Sequence, residues 1–281
     1  MKQLLFSLFF TLSLFTLAHA EDETRSSADL RQIRTGYSPI QLNAVGRLIV
    51  TFKNGKDFTC TASLSDTIPG RASRLLTTNR HCIFHQTSGE QAVKLVWKNL
   101  LVDGSRLEYP ASLVYENSDY DTALLSIPKK IPFSRIKPLL LETELTLDPN
   151  EMILYSQKVY AAGYSSDADL GYNGKTLTYS DISTRQWFKR GAHNSVVVET
   201  FTFGGASGGP LFSISDLSEE DIENPFDQAY LLGTLHGGTN VATDVFISKN
   251  GVYGSNSSLY TNYSNFFIND GFIMFDKYNA P

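Results

Sequence analysis

The sequence predicts an all-β protein made of two antiparallel β-modules. Short segments rich in β-branched and aromatic residues recur at the spacing of hairpins, and turn signals such as Asn54-Gly55 and Pro69-Gly70 separate them. Aromatic residues make up 12% of the chain, a share that favours strands. No helical periodicity extends beyond a few turns. Together these observations place the chain in the all-β class.

Each half of the chain supplies six candidate strands, and six strands of this kind could close a small barrel. In the first half they are predicted at 46–52, 58–64, 73–78, 92–97, 112–115 and 122–127. In the second half they are predicted at 158–162, 176–180, 195–200, 211–214, 230–235 and 245–248.

A proline-rich segment separates the two sets of strands. Residues 128–138 contain three prolines and four basic residues, and proline cannot donate a hydrogen bond to a sheet. We therefore predict a linker there, with the first β-module at 45–130 and the second at 131–281. The Tyr- and Asn-rich segment 253–270 fits either an exposed loop or a final strand pair.

The first twenty residues have the pattern of an export signal. Lys2 precedes an apolar run over 4–17, and Ala18 and Ala20 supply the small residues that a signal peptidase needs. The run is short for a membrane span, and an uncleaved anchor is the alternative to a signal peptide at 1–20. Residues 21–36 are polar, so we expect 21–44 to be a flexible leader or propeptide-like segment. The mature protein is then expected outside the cell or in the periplasm, free of the membrane.

Charge and cysteine content limit the partners. The net charge is −5, which argues against a nucleic acid or an anionic membrane as partner. Cys60 and Cys82 are the two cysteines, and in an exported chain they most simply form one disulfide. A Cys/His metal cluster with His81 and His85 is the alternative. Because a cysteine pair in an exported protein is usually oxidised, we expect no metal and no cofactor.

The strongest single motif is Gly-Gly-Ala-Ser-Gly-Gly-Pro at 204–210. Glycines around Ser207 let a substrate backbone approach closely and let the local backbone adopt positive φ. The amides before and at the serine can then point at one spot and hold a developing oxyanion. A glycine-rich hairpin loop with an incidental serine is the alternative.

Two further signals accompany the serine. His81 ends an apolar strand beside Cys82, and a disulfide there would hold the backbone of a catalytic base in place. Asp121 comes immediately before another apolar strand, where it can be buried beside an imidazole, fix its tautomer and stabilise the imidazolium. Asp119 is the second candidate for this role. Taken singly, the histidine and the aspartate fit ordinary structural positions equally well.

In the order His, Asp, Ser, these signals resemble the chymotrypsin/trypsin family of serine proteases. The segment 60–64 resembles the family's strand before the histidine, and 121–125 resembles its aspartate strand. The segment 205–210 resembles the nucleophile loop. The segment 232–238 resembles the strand that lines the substrate backbone and the specificity pocket.

The resemblance implies two perpendicular six-stranded antiparallel β-barrels with the active site in the cleft between them. It implies that Ser207 attacks the scissile carbonyl, that His81 takes its proton and returns it to the leaving amine, and that Asp121 orients His81. The amides of Gly205 and Ser207 would form the oxyanion hole, and the cysteine before His81 would pair with the one after it. We expect an endopeptidase that cleaves polypeptides through an acyl-enzyme and acts as a monomer.

Ala206 indicates which members of the family the chain resembles. Animal digestive and clotting enzymes carry an aspartate at this place, which pairs with a newly cut N-terminal amine. With no carboxylate at position 206 that activation switch cannot operate, so any control by the leader must work differently. The single disulfide and the His-Gly-Gly segment at 236–238 make the chain most similar to bacterial glutamyl and lysyl endopeptidases.

The resemblance also implies a substrate pocket formed by Thr202, His236, Gly237 and Gly238. Thr202 matches the threonine with which glutamyl endopeptidases bind a substrate carboxylate, but His236 lies one place beyond their histidine. The Leu-His-Gly-Gly context is more similar to lysyl endopeptidases, which bind lysine through an acid on a later loop, where Asp244 is the nearby candidate. Phe201 occupies the position of the trypsin aspartate. A buried structural role is the alternative for His236, and the preferred cleavage residue stays open.

Two other functions compete with a serine endopeptidase. The segment 205–209 also fits the G-x-S-x-G elbow of α/β-hydrolases, and a serine esterase of that class is one alternative. That elbow needs a helix that begins at the serine, whereas two glycines and Pro210 follow Ser207 and disfavour one. A protease fold that has become a binding module is the other alternative. Such proteins usually lose a catalytic residue, and all three candidates are present here.

Overall fold

A computed structural model of the chain describes residues 29–141, 158–183, 187–190, 195–214, 228–238, 245–247, 253–262 and 272–279. The candidate signal peptide at 1–20 and the start of the predicted leader lie outside the described residues. Asp244 lies outside them as well.

The first β-module is a closed antiparallel barrel of six strands. A two-residue strand, β1 (Gln32–Ile33), and a 3-10 turn at Ile40–Ala44 precede it. The barrel strands are β2 (Val45–Thr51), β3 (Asp57–Asp66), β4 (Ser73–Asn79), β5 (Lys94–Leu100), β6 (Arg106–Asn117) and β7 (Thr122–Ile131). They pair in the order β3–β2–β5–β6–β7–β4, and β4 pairs back with β3. Closure leaves no strand of this barrel with an unpaired edge.

Alternating side chains fill the barrel. Along β5, Leu95 and Trp97 point inward while their neighbours are more exposed, as the two-residue period of a strand requires. Trp97 is completely buried, and its indole N–H donates to the Ala62 carbonyl at 3.0 Å. Gly46 makes room for the indole, since a Cβ there would lie 2.2 Å from Trp97 Nε1. A large aromatic residue thus packs against a backbone that only glycine allows.

The second module contains more strands than predicted. They are β8 (Leu139–Leu140), β9 (Lys158–Gly163), β10 (Thr178–Asp181), β11 (Trp187–Arg190), β12 (Ser195–Thr202), β13 (Pro210–Ile214), β14 (Tyr230–Gly238), β15 (Val245–Ile247) and β16 (Tyr253–Asn262). Antiparallel pairs run in the order β10–β9–β13–β14–β16–β12–β11, and β15 pairs with β16. The short β8 runs parallel to both β3 and β14 and so joins the two modules. The all-β, two-barrel prediction is confirmed, and the tail over 253–262 forms a strand.

The predicted linker overlaps the end of a strand. β7 continues to Ile131, so Pro128 lies inside it. The register between β4 and β7 is irregular here, because Leu75 pairs with Ser126 while Ser73 pairs with Ile131. Pro128 falls in the interval without regular pairing, where its missing N–H costs no ladder hydrogen bond. Composition alone could not show that the strand passes through this proline.

Each end of the described chain packs on the module that is distant in sequence. β1 pairs with β10 of the second module. The helix α1 (Phe272–Asn279) packs against β4 of the first barrel, and Phe275 on it is completely buried. The described part of the predicted leader, from residue 29 onward, differs from the flexible segment that its polarity suggested. Leu42 is completely buried, and Arg31 is buried because carboxylates neutralise its charge.

Candidate active site

Neighbouring strands of the first barrel bring His81 and Asp121 together. Asn79 at the end of β4 pairs with Thr122 at the start of β7, so the residues just beyond these ends meet. His81 Nδ1 lies 2.5 Å from Asp121 Oδ2, and the His81 backbone N–H donates to Asp121 Oδ1 at 2.8 Å. Asp119, the second candidate, is exposed in the preceding turn. The geometry therefore favours Asp121 over Asp119 as the partner of the histidine.

The Asp121 backbone adopts a conformation that non-glycine residues rarely use. Its φ is 49°, in the left-handed region, which costs an L-residue about 1–2 kcal/mol. The Arg80 N–H donates to the Asp121 carbonyl at 3.0 Å and holds the residue in place. Backbone conformations of this kind cluster at functional sites, where the surrounding structure maintains them.

Three side chains donate to one oxygen of Asp121. His81 Nδ1 lies 2.5 Å, His236 Nδ1 2.6 Å and Asn79 Nδ2 3.0 Å from Asp121 Oδ2. Burial alone would raise the pKa of Asp121, but the hydrogen bonds from His236, His81 and Asn79 lower this pKa well below its usual value. The group is therefore a carboxylate at neutral pH. A proton on His81 Nδ1 leaves its Nε2 as a proton acceptor.

His236 contacts the same oxygen of Asp121 as His81 does, and the sequence did not predict this contact. Its side chain is 42% exposed, so it is not a buried structural histidine. Its ring stands edge-on to that of His81, with centroids 6.0 Å apart. The hydrogen bond to Asp121 raises the pKa of His236, although burial opposes this change. An irregularity in the β14–β16 register between Leu235 and Gly237 marks the position of His236.

Ser207 lies in the turn between β12 and β13, against β3 and the disulfide. The Thr61 N–H donates to the Ser207 carbonyl at 2.8 Å, and the Cys82 sulfur lies 3.7 Å from the same oxygen. Ser207 and His81 line one cavity of about 350 Å³. The other residues that line it are Phe52, Phe58, Thr59, Cys60, Cys82, His85, Gln86 and Thr87.

Hydrogen bonds fix the backbone around Ser207, but among the described residues they do not use the amides on either side of Ala206. The N–H groups of Ala206, Gly208 and Gly209 donate to backbone carbonyls at 2.8–3.1 Å. Within the described ranges, the N–H groups of Gly205 and Ser207 have no acceptor. These are the two amides that the sequence assigned to an oxyanion hole.

The remaining predicted pocket residues lie on β12 and β14. Thr202 is half-buried at the end of β12 and borders a small void together with Arg31 and Ala206. The space beside the Gly237 Cα is open, and Gly238 pairs with Ser258 of β16. The structure thus brings His236 onto Asp121 and leaves Thr202 beside the backbone that precedes Ser207.

Cys60 and Cys82 form a disulfide, with their Cα atoms 6.1 Å apart. The alternative Cys/His metal cluster is therefore excluded, because both sulfurs are used. A different group could hold a metal: one ligand atom each from His81, Asp121 and His236 lies within 4.8 Å of the others. In the structure, Asp121 Oδ2 instead accepts hydrogen bonds from His81 Nδ1 and His236 Nδ1, so the proximity of these three residues is explained without a metal.

Sequence reasoning missed two residues that support the site. Asn79 donates to Asp121. The one feature of the sequence that could have indicated this role is that Asn79 is a polar residue at the end of an apolar strand. Thr61 donates through Oγ1 to the Gly205 carbonyl at 2.9 Å and accepts the Tyr164 N–H at 3.0 Å. Since Gly205 is 144 residues from Thr61, no local pattern could have revealed this contact.

Comparison with protein families identifies the domain. The trypsin-like peptidase domain family matches residues 64–217, more than half of the 281 residues. The chain belongs to this family. The matched segment of the trypsin-like peptidase domain includes His81, Asp121 and Ser207. A search of curated protein sequences found no match.

Solved protease structures share the fold of this trypsin-like peptidase domain. The protease Anisep from Arthrobacter nicotinovorans has a TM-score of 0.54 and 14% identity, over 83% of this chain and 93% of its own. A thermostable serine protease from an extremophilic microorganism has a TM-score of 0.53 and 16% identity, over 80% of this chain and 93% of its own. A Glu endopeptidase has a TM-score of 0.50 and 16% identity, over 90% of this chain and 97% of its own. At these identities the likeness shows the fold, and it confirms the predicted two-barrel class.

Proposed function

We propose that this trypsin-like peptidase domain is an exported serine endopeptidase with Ser207 as nucleophile, His81 as general base and Asp121 as the residue that orients His81. The observation that carries the proposal is the 2.5 Å contact between His81 Nδ1 and Asp121 Oδ2 beside a cavity that Ser207 also lines. The peptidase family and the protease neighbours support a hydrolase that acts on polypeptides.

The proposed reaction uses each group at one step. His81 Nε2 accepts the Ser207 proton as Oγ attacks the scissile carbonyl carbon, and His81 then protonates the leaving amine. A water that is deprotonated by His81 hydrolyses the acyl-enzyme and regenerates Ser207. Asp121 stays ionised and stabilises the imidazolium in both halves of the reaction. The N–H groups of Gly205 and Ser207 hold the oxyanion, and one such donor is typically worth about 3 kcal/mol.

The proposal places the substrate pocket at Thr202, Gly237 and Gly238, with His236 at its edge on Asp121. The open space beside Gly237 supports this placement because a substrate backbone needs an unobstructed strand. Cleavage of a peptide library, read at the residue before each cut, would assign the preferred side chain.

Export and a monomeric state belong to the same proposal. The apolar run at 4–17 supports a signal peptide, and the Cys60–Cys82 disulfide fits an oxidising compartment. No helix among the described residues has the length and apolar character needed to cross a bilayer. N-terminal sequencing of the secreted protein and its elution volume in size-exclusion chromatography test these points.

An organofluorophosphonate probe tests the nucleophile directly. We expect the processed protein to be labelled at Ser207, and the Ser207→Ala and His81→Ala variants to lose the label. Hydrolysis of peptide as well as ester substrates would separate an endopeptidase from an esterase. If the folded wild-type protein takes up no probe, the enzyme is excluded and a binding module remains.

A further inference from the structure

Arg31 is a buried arginine that the proposed reaction does not use. It immediately precedes β1, and its side chain is only 3% exposed. Its Nη1 donates to Asp167 Oδ1 at 2.7 Å, and its Nη2 donates to Asp29 Oδ2 at 2.6 Å. Asp167 is 136 residues away in sequence, and its side chain is 1% exposed. The N-terminal segment is therefore fastened to the second module by a buried ion pair.

Both members of this pair are charged. Burial lowers the pKa of Arg31, but hydrogen bonds to Asp29 and Asp167 outweigh burial and raise it. Burial raises the pKa of Asp167, whereas Arg31 and the N–H groups of Gly171 and Leu170 lower it below its usual value. Removal of either partner would leave an uncompensated charge in the interior, which proteins tolerate poorly.

Asp167 organises the loop in which it lies. Its Oδ2 accepts the N–H groups of Leu170 and Gly171 at 2.9 and 3.0 Å, so the carboxylate closes a turn around itself. The turn is tight, because a Cβ on Gly171 would lie 1.9 Å from the Ser165 carbonyl oxygen. Arg31 binds the opposite oxygen and so holds the closed turn in place.

This turn contacts the backbone just before the nucleophile. The Ser166 N–H donates to the Gly204 carbonyl at 2.7 Å, next to Gly205, whose amide is the proposed oxyanion donor. The Arg31 guanidinium also lies over the Phe203 ring, 4.6 Å from its centroid. Arg31 thus reaches 203–205 by two routes, one through Asp167 and Ser166 and one directly.

We propose that Arg31 is a positioning residue for catalysis: its ion pair with Asp167 holds residues 203–205 so that the Gly205 N–H faces the oxyanion. Ala206, beside the nucleophile, has no carboxylate for an anchor of its own. Residues 29–33 consequently belong to the active protein, and a chain cut after Arg31 loses activity. The inference rests on the proposed function for its catalytic consequence, and its structural part stands on the contacts alone.

Substitution of Arg31 tests the proposal, with Arg71 as the matched control. Arg71 also pairs with a buried carboxylate, Asp66 at 2.5 Å, but in the first barrel. We expect Arg31→Gln to slow acylation by the fluorophosphonate and to lower kcat by about 10- to 100-fold, as for a misplaced catalytic group, with a smaller change in KM. Arg31→Lys keeps the charge but forms fewer hydrogen bonds, so its rate should be intermediate. Arg71→Gln should acylate at the wild-type rate.

Hydrogen exchange separates this inference from the proposed function. In a Ser207→Ala background, the Ser166 amide should exchange faster when Arg31→Gln is added and should be unchanged by Arg71→Gln. If wild-type protein is not labelled, the proposed function fails, whereas the exchange result still decides the structural part. Asp167→Asn keeps the side-chain volume and replaces Arg31→Gln as the test variant if Arg31→Gln does not fold. Wild-type acylation and exchange rates in Arg31→Gln, or in Asp167→Asn, would overturn the proposal.

Discussion

At the scale of single residues, the electrostatics of the site depend on Asp121. One carboxylate oxygen accepts hydrogen bonds from two imidazoles and from Asn79, so both rings carry a proton on Nδ1. His81 is thereby held in the tautomer that a general base needs. His236 shares the same carboxylate, and its charge state consequently affects the environment of His81.

The pH dependence of stability should reveal the His236 contact. The folded-state pKa of His236 is raised above 6.5, so folding favours its protonated form. Its stabilising contribution is fully present below pH 6.5 and is lost as the pH rises through the folded-state value. In a Ser207→Ala background, the deficit of His236→Ala in the free energy of unfolding should therefore be largest at acid pH and shrink with rising pH. Urea titrations between about pH 5 and about pH 9 would measure this deficit.

His85→Ala is the matched control for this titration. His85 is half-buried and lines the cavity, and its Nδ1 accepts the Ser88 N–H at 3.4 Å instead of contacting a carboxylate. The deficit of this variant gives the reference against which the pH dependence of the His236→Ala deficit is compared. A His236→Ala deficit that grows as the pH rises would contradict the assigned contact.

At the scale of elements, the loop between β12 and β13 is held from three directions. β3 contributes the Thr61 bonds to Ser207 and Gly205. β14 contributes the Leu235 carbonyl, which accepts the Gly208 N–H at 2.9 Å. The turn around Asp167 contributes the contact of Ser166 with Gly204. The loop that carries Ser207, the proposed nucleophile, is thus fixed by hydrogen bonds from three separate segments.

Two adjacent glycines in this loop should respond differently to alanine. Gly205 has φ of +91°, and a Cβ on it would lie 2.5 Å from the Tyr164 carbonyl oxygen, so the backbone must shift. Gly205→Ala should lower the free energy of unfolding by about 1–2 kcal/mol from the positive φ alone. It should also slow fluorophosphonate labelling by about 10-fold or more, because the displaced amide is the proposed oxyanion donor.

Gly204→Ala is the control for this substitution. The nearest atom to a Cβ on Gly204 is Ser166 Oγ at 3.3 Å, and this small side chain can move aside. We expect the free energy of unfolding to change by about 0.5 kcal/mol or less and labelling to continue. Equal losses in the two variants, measured by urea unfolding and labelling kinetics, would show that the local geometry at Gly205 is not the cause.

At the scale of the whole molecule, each barrel is tied to a segment from the far end of the chain. Strand patterning predicted the β class, and the short motifs around His81, Asp121 and Ser207 predicted the trypsin-like family, because each of these signals is local in sequence. The Arg31–Asp167 pair and the His236–Asp121 pair join residues 136 and 115 positions apart. Such contacts depend on the register of several strands at once, which no short pattern encodes. The polar residues on either side of Arg31 in the sequence instead led to the prediction of a flexible segment.

The C-terminal helix supplies the last test at this scale. Phe275 on α1 is completely buried in the main hydrophobic core, to which both modules contribute, α1 packs against β4 of the first barrel, and Asn279 Nδ2 donates to Asp66 Oδ2 at 2.5 Å. Phe275→Ala should therefore lower the free energy of unfolding of the first barrel by about 3–5 kcal/mol, through lost burial and the cavity left behind. Lys277→Ala, on the exposed side of the same helix, should change it by about 0.5 kcal/mol or less.

A single fluorescent reporter makes this measurement specific to the first barrel. The chain has two tryptophans, so Trp187→Phe leaves Trp97, which is buried inside that barrel, as the only one. Urea unfolding that is followed by Trp97 emission should shift to a lower midpoint in Phe275→Ala and stay in place in Lys277→Ala. If the Trp97 transition does not move in Phe275→Ala, α1 does not stabilise the first barrel, and the expected effect of its packing against β4 is refuted. If it moves as expected, a helix that is about 200 positions from β4 in sequence stabilises the strand that leads to His81.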